Sequence, residues 1–161
     1  MSSISAIVIA KNEENRLADC LDSLSFCDEI IVVDNGSEDR TVEIAERMGT
    51  KVFNLKSDDF SELRNYGLRK AKGDWLLYID ADERISERLK KEIDHLTRHS
   101  DRRKQLNGYF LKRKNFYFGN HEWPYIEKLE RLFRKESLKS WKGQLHESPI
   151  VDGKIDVLEG F

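Results

Sequence analysis

Over its first eighty residues the chain alternates short apolar runs with stretches of helical periodicity, and this alternation admits little but an α/β fold. The apolar runs are Ile4–Ala10 (ISAIVIA), Glu29–Asp34 (EIIVVD), Lys51–Leu55 (KVFNL) and the run that starts at Trp75 (WLLYID). Runs that are mostly apolar without strict alternation suit strands buried on both faces, as in a parallel sheet covered by helices. Between them Leu17, Cys20, Leu21 and Leu24, then Val42, Ile44, Ala45 and Met48, then Leu63, Tyr66, Leu68 and Ala71 recur at helical spacing. Strand, helix, strand, helix, strand, helix, strand predicts a parallel sheet with right-handed crossovers, ordered 3-2-1-4.

The punctuation agrees with this reading. Asn12 is the expected cap of the first helix, with Glu13 and Glu14 at its positive end. Ser37 or Asp39 is expected to cap the second, and Gly49 falls where a helix-ending glycine belongs. A third helix follows Asp58-Asp59 and is expected to end at Gly73.

The second half has a different character. Ser86 to Leu96 predicts one more amphipathic helix, capped by Ser86. The basic stretch Arg98 to Lys104 (RHSDRRK) reads as a solvated linker or as a contact for anionic lipid or a phosphorylated acceptor. Gly108 to Phe118 is aromatic-rich and reads as one long strand or as a strand and its partner. Leu129 to Arg134 is ambiguous, and Val151-Asp152-Gly153-Lys154 has the form of an Asp-Gly hairpin turn. No repeat or linker divides the chain, so a single domain of residues 1–161 is expected: a ligand-binding half over 1–97 and a completing half over 98–161.

With 161 residues and a net charge of −2, the chain has room for a core and no global charge bias toward nucleic acid. Cys20 and Cys27 lack metal-ligand spacing and read as reduced thiols, and no apolar segment is long enough to span a bilayer. With no secretory leader at the start, a soluble cytoplasmic protein is expected.

Three strand ends then converge on one edge of the predicted sheet: Ala10-Lys11-Asn12, Asp34-Asn35 and Asp80-Ala81-Asp82. In the order 3-2-1-4 the ligand crevice lies between the first and fourth strands. Asp34 suits a ribose or a base edge, or serves as a plain turn former. Two carboxylates spaced Asp-x-Asp suit a hard divalent cation, or a cation and a sugar hydroxyl. There is neither a G-x-G-x-x-G nor a G-x-x-x-x-G-K-[ST] loop to wrap a diphosphate, so a cation on Asp82 is the expected substitute.

Taken together, IVIAKNEE, EIIVVDNGSEDRT and ELRNYGLRKAKGDWLLYIDADE resemble glycosyltransferase family 2, the inverting enzymes of the GT-A fold. The later RLFR and WKGQLHE are similar to its branch of lipopolysaccharide-core glucosyltransferases. The resemblance implies a UDP-sugar donor and a glycan or lipid-linked acceptor in cell-envelope polysaccharide synthesis. Peripheral contact with the inner face of the cytoplasmic membrane is also implied.

It assigns donor binding to Ala10, Lys11, Asn12, Glu13, Asp34, Arg64-Asn65 and Asp80, with Asp34 on the uridine. Asp82, Asp80 and His146 would hold Mn²⁺ or Mg²⁺. The catalytic base would be Glu127, or failing that Glu147. Here the sequence departs from that branch: Pro124 is followed by Tyr125, and two extra residues precede Arg131. Relatives usually continue beyond the last residue of this chain, so the acceptor half is expected to be shortened. Trp123, Tyr125 and Trp141 would stack on a sugar ring or belong to the core. The alternatives are a non-catalytic nucleotide-sugar or glycan-binding module of the same fold and, more remotely, a sugar-phosphate nucleotidyltransferase.

Overall fold

A computed structural model describes residues 2–99, 106–117, 121–144 and 146–161. Much of the basic stretch 98–104, and Phe118, lie outside the described residues. The first four runs form β1 (Ile4–Ala10), β2 (Glu29–Asp34), β3 (Lys51–Asn54) and β4 (Trp75–Asp80), paired parallel in the expected order 3-2-1-4. Between and after them run α1 (Leu17–Ser23), α2 (Thr41–Arg47), α3 (Phe60–Lys70) and α4 (Glu87–His99).

Alternation along each strand sorts its side chains to two faces. Ile4, Ala6 and Val8 of β1, with Trp75, Leu77 and Ile79 of β4, pack with Leu17, Leu21, Leu89 and Ile93 of α1 and α4. On the other face Ile7, Ile9, Leu76 and Tyr78 pack with Leu63 of α3 and with Phe133 and Trp141 from the second half. Each fully buried aliphatic side chain contributes about 1.5–3 kcal/mol, so β1 and β4, sealed on both sides, are the best-anchored strands.

The second half extends the same sheet. β8 (Glu127–Arg134) runs antiparallel to β4, β5 (Gly108–Arg113) runs antiparallel to β8, and β11 (Ile155–Val157) runs parallel to β5. The seven-stranded order is β11-β5-β8-β4-β1-β2-β3. The ambiguous stretch ending at Arg134 is thus an eight-residue interior strand. The aromatic stretch divides: β5 ends at Arg113, and a separate hairpin pairs β6 (Phe116–Tyr117) with β7 (His121–Glu122). A second small ribbon joins β9 (Leu138–Lys142) to β10 (Ser148–Val151) over α3.

Local expectations are corrected at several points. Asn12 does not cap α1, which starts only at Leu17 after an uncapped Arg16. Asn12 sits instead at φ +55, the left-handed region that asparagine tolerates, and its Oδ1 accepts from the Glu38 N–H at 2.8 Å. The Asp152-Gly153 turn, with Gly153 at φ +106, joins no hairpin: β10 pairs with β9 and β11 with β5. Neither Ser37 nor Asp39 holds the cap position of α2, which Arg40 fills without a side-chain bond; Asp39, one residue earlier, accepts from the Thr41 N–H. α3 ends at Lys70, short of Gly73. Asp59 accepts from the N–H groups of Ser61 and Glu62, Ser86 from that of Leu89, and Gly49 follows α2 at φ +75.

Candidate active site

The carboxyl ends of β1, β2 and β4 meet at one edge, as the parallel pairing requires. The segment after β1 is laced to the segment after β2. The Asn12 N–H donates to Ser37 Oγ at 2.9 Å, the Glu13 N–H to Thr41 Oγ1 at 2.8 Å, and the Asn35 N–H to the Ala10 carbonyl at 2.8 Å. Asp34 is buried here. Its Oδ2 accepts from the N–H groups of Gly36 and Ser37, both at 3.0 Å, while its Oδ1 is buried with no hydrogen-bond partner. A buried acceptor left without a donor costs about 1–3 kcal/mol, and a ligand N–H or O–H removes that cost.

Beyond β4 the chain makes a tight turn. The Glu83 N–H donates to the Asp80 carbonyl, and Glu83 Oε2 accepts from the Asp80 N–H, both at 2.9 Å. Three carboxylates therefore crowd four residues, and two of them are neutralised. Asp80 Oδ2 accepts from Arg131 Nη2 at 2.7 Å and Oδ1 from Arg64 Nη2 at 3.1 Å. Burial alone would raise the Asp80 pKa, but Arg131 and Arg64 outweigh it and hold the carboxyl below the ordinary aspartate value. Glu83 Oε1 takes Arg113 Nη1 at 2.6 Å, with Arg131 Nη2 at 3.6 Å. Asp82 is different: its side chain is 52% exposed, and its recorded cation contact is Arg16 at 3.9 Å.

Glu13 reports the field at this lip. Burial lifts its pKa above the ordinary glutamate value, Arg16 works against that, and the charges of Asp82 and Asp39 add to it. The ends of β1 and β4 thus face one another electrostatically.

Arg64 is the buried hub on the α3 side. Besides Asp80 it serves Glu147: Nε donates to Oε1 at 2.8 Å, Nη2 lies 2.7 Å from the same oxygen, and the guanidinium lies 4.9 Å from the Trp141 ring centroid. Trp141 is a core residue that packs against Tyr78 and Phe133. Asn65 faces β9, exchanging hydrogen bonds with the Trp141 backbone: Nδ2 donates to its carbonyl at 2.9 Å and Oδ1 accepts from its N–H at 2.8 Å.

Glu127, at the start of β8, receives Arg113 Nε, Arg113 Nη2 and Asn115 Nδ2, all three on Oε2. The Asn115 amide first, and then Arg113, hold its carboxyl below the ordinary glutamate value. His146 lies exposed in the turn after β9, and no cluster of three or more metal-ligating side chains occurs among the described residues. A cation here takes most of its ligands from elsewhere, as Mg²⁺ does when one or two carboxylates and substrate phosphates hold it. On that criterion Asp82 fits. Asp80 already engages two guanidiniums, Arg131 and Arg64.

Next to the turn opens a cleft of about 890 Å³ whose lining includes Asp82, Glu83, Arg113, Arg131, Phe116 and Phe161. Arg131, Arg113 and Glu83 are the site residues that sequence reasoning missed. A signal existed: Arg131 precedes Leu132-Phe133 in a strand-like run, and a charge on a buried strand requires a partner. No helix among the described residues is long and apolar enough to cross a membrane.

The chain is similar to known proteins in sequence and in fold. Residues 5–147 match the family described as glycosyl transferase family 2. An uncharacterized glycosyltransferase of Rickettsia typhi is 31% identical over 98% of this chain and 56% of its own length. The lipopolysaccharide core biosynthesis glycosyltransferase LpsC of Rhizobium meliloti is 26% identical over 94% of this chain and 58% of its own. The chain thus spans somewhat more than half the length of these relatives. Among solved structures, residues 1–349 of S. aureus TarS in complex with UDP-GlcNAc superpose with a TM-score of 0.57 at 28% identity, over 68% of this chain and 34% of that TarS chain. Glucosyl-3-phosphoglycerate synthase of Mycobacterium tuberculosis, with UDP, shares the fold at a TM-score of 0.58 and 23% identity, over 74% of this chain and 46% of the synthase. With its mostly parallel α/β sheet and its match over nearly the whole length, the chain belongs to glycosyltransferase family 2.

Proposed function

We propose that this chain carries the donor-binding and catalytic core of a metal-dependent inverting glycosyltransferase that uses a UDP-sugar. The observation that carries this reading is the turn after β4, where Asp80 and Glu83 are neutralised by arginines and Asp82 presents the most accessible carboxylate of the three. Asp82 would hold Mn²⁺ or Mg²⁺, and that cation would offset the charge developing on the departing diphosphate. The buried, unpartnered Oδ1 of Asp34 suits the N–H of a uracil or a ribose hydroxyl, and Ala10, Asn12 and Glu13 border the same crevice. TarS, bound to UDP-GlcNAc, supports the choice of nucleotide.

Transfer is an in-line displacement at the anomeric carbon. The acceptor oxygen forms the new glycosidic bond as the carbon–oxygen bond to the diphosphate breaks. Glu127 takes the hydroxyl proton on Oε1, the oxygen that none of its three hydrogen bonds occupies. Glu147, committed to the buried Arg64, is the weaker choice of base. The acceptor would enter through the cleft bordered by Arg113, Arg131 and Phe116, beside exposed Trp123 and Tyr125. A glycan or lipid-linked acceptor of the cell envelope agrees with the name of LpsC, and such an acceptor would be reached at the inner face of the cytoplasmic membrane.

Calorimetry with UDP and Mn²⁺ tests the donor site. Binding is expected, and Asp82→Ala should weaken it about tenfold or more. Affinity unchanged in that variant would remove Asp82 from the site. Donor binding without transfer across an acceptor screen would favour a non-catalytic binding module.

A further inference from the structure

We propose that Arg131 is a positioning residue that staples the turn after β4 and so sets where Asp82 stands. This rests on the reading of Asp82 as the cation-bearing carboxylate. Arg131 belongs to β8, more than forty residues further along the chain, and reaches the turn because β8 pairs antiparallel with β4 through Leu76↔Phe133 and Leu77↔Leu132. Its side chain is 8% exposed, and its guanidinium engages both ends of the turn. Nη2 lies 2.7 Å from Asp80 Oδ2 and 3.6 Å from Glu83 Oε1, and Nη1 lies 3.5 Å from Asp80 Oδ1.

The charge arrangement explains why a staple is needed. Asp80, Asp82 and Glu83 repel one another, and without a cation between the first and third the turn would open to separate them. Arg64 grips Asp80 from the α3 side and Arg113 grips Glu83 from β5. Among the described residues, only Arg131 is within ion-pair distance of both carboxylates. Asp82, held between the two clamped residues, is left with the distant Arg16 and projects at the mouth of the cleft. A lysine cannot reproduce this, because one ammonium is a point charge where the guanidinium offers a fork.

The test is calorimetry of UDP binding with Mn²⁺ and, separately, with EDTA, on the unmutated chain, Arg131→Gln and Arg131→Lys, each checked by thermal unfolding. In Arg131→Gln the strengthening of UDP binding by Mn²⁺ should fall about tenfold or more, the scale seen when partners that orient metal ligands are removed. UDP affinity in EDTA should hardly change, which a general loss of structure would not allow. Arg131→Lys should recover part of the Mn²⁺ effect. If Arg131→Gln does not fold, Arg131→Lys carries the test, and a Mn²⁺ dependence equal to that of the unmutated chain overturns the proposal.

In a folded Arg131→Gln protein, an unaltered Mn²⁺ dependence, or an equal loss of affinity with and without the metal, also overturns it and leaves the donor-site reading standing. UDP binding that ignores Mn²⁺ in the unmutated chain removes the cation site and this inference together. No UDP binding at all removes the donor site as well.

Discussion

Arg64 shows how much of this site hangs on single side chains. It is 3% exposed and holds two carboxylates, Asp80 and Glu147, from opposite sides. Arg64→Met should cost about 3–5 kcal/mol in urea unfolding, because it strands the partly buried Glu147 without a counter-charge and leaves Asp80 to Arg131. Gly73 is a second such position. A Cβ there would stand 2.6 Å from the Ser5 backbone nitrogen, and its N–H donates to Ser5 Oγ at 2.8 Å. Gly73→Ala should therefore cost about 1–3 kcal/mol, read from the same denaturation midpoint. Glu127 is expected to matter differently, since its side chain is 45% exposed and carries little fold stability. Glu127→Gln should leave the urea midpoint and UDP affinity near those of the parent while transfer falls about a hundredfold or more, measured as sugar transferred per unit time. Its lowered pKa keeps it ionised at neutral pH, so transfer by the parent should decline only in acid, as pH falls through that value.

Among the elements, α3 and β9 depend on one another. Asn65 supplies both hydrogen bonds that fasten β9 to α3 at Trp141, and Trp141 in turn covers Arg64. Asn65→Ala should lower stability by about 1–3 kcal/mol and speed hydrogen exchange at the Trp141 N–H, with β1 and β4 still protected. The resemblance to the family suggested a ligand role for Asn65; its side chain is spent on this joint instead. Element boundaries were legible where a side chain closes the helix end locally, as Asp59 does for α3. They were not legible at Asn12, whose partner Glu38 belongs to the segment after another strand. The period of two in β8 is blurred because Glu127, Lys128 and Glu130 are polar while Leu132 and Phe133 are wholly buried, so an interior strand reads as a short ambiguous run.

At the scale of the whole molecule, carboxylates join its distant parts and make it sensitive to acid. Burial would raise both Glu29 and Asp80, yet each is held below its ordinary value: Glu29 by Lys51, Ser5 and the Lys72 N–H, Asp80 by Arg131 and Arg64. In acid the folded chain therefore binds fewer protons than the unfolded one. The stability these groups contribute is complete above the unfolded carboxylate values of about 4 and is lost as pH falls through the depressed ones. The urea midpoint should drop below about pH 4, and Asp80→Asn should flatten that drop while lowering stability at neutral pH. The sequence by itself determined the four parallel strands, their order, the crossover helices and the edge at which Asp34, Asp80 and Asp82 gather. Apolar period and turn chemistry are local properties, and the handedness of crossovers does the rest. Only the tertiary structure decided which of the clustered acids is accessible and which are neutralised. That outcome depends on the register of β8 and β5 against β4, which brings Arg131 and Arg113 from remote segments onto Asp80 and Glu83. Coulombic pairing acts through space and leaves no period in the chain to be read.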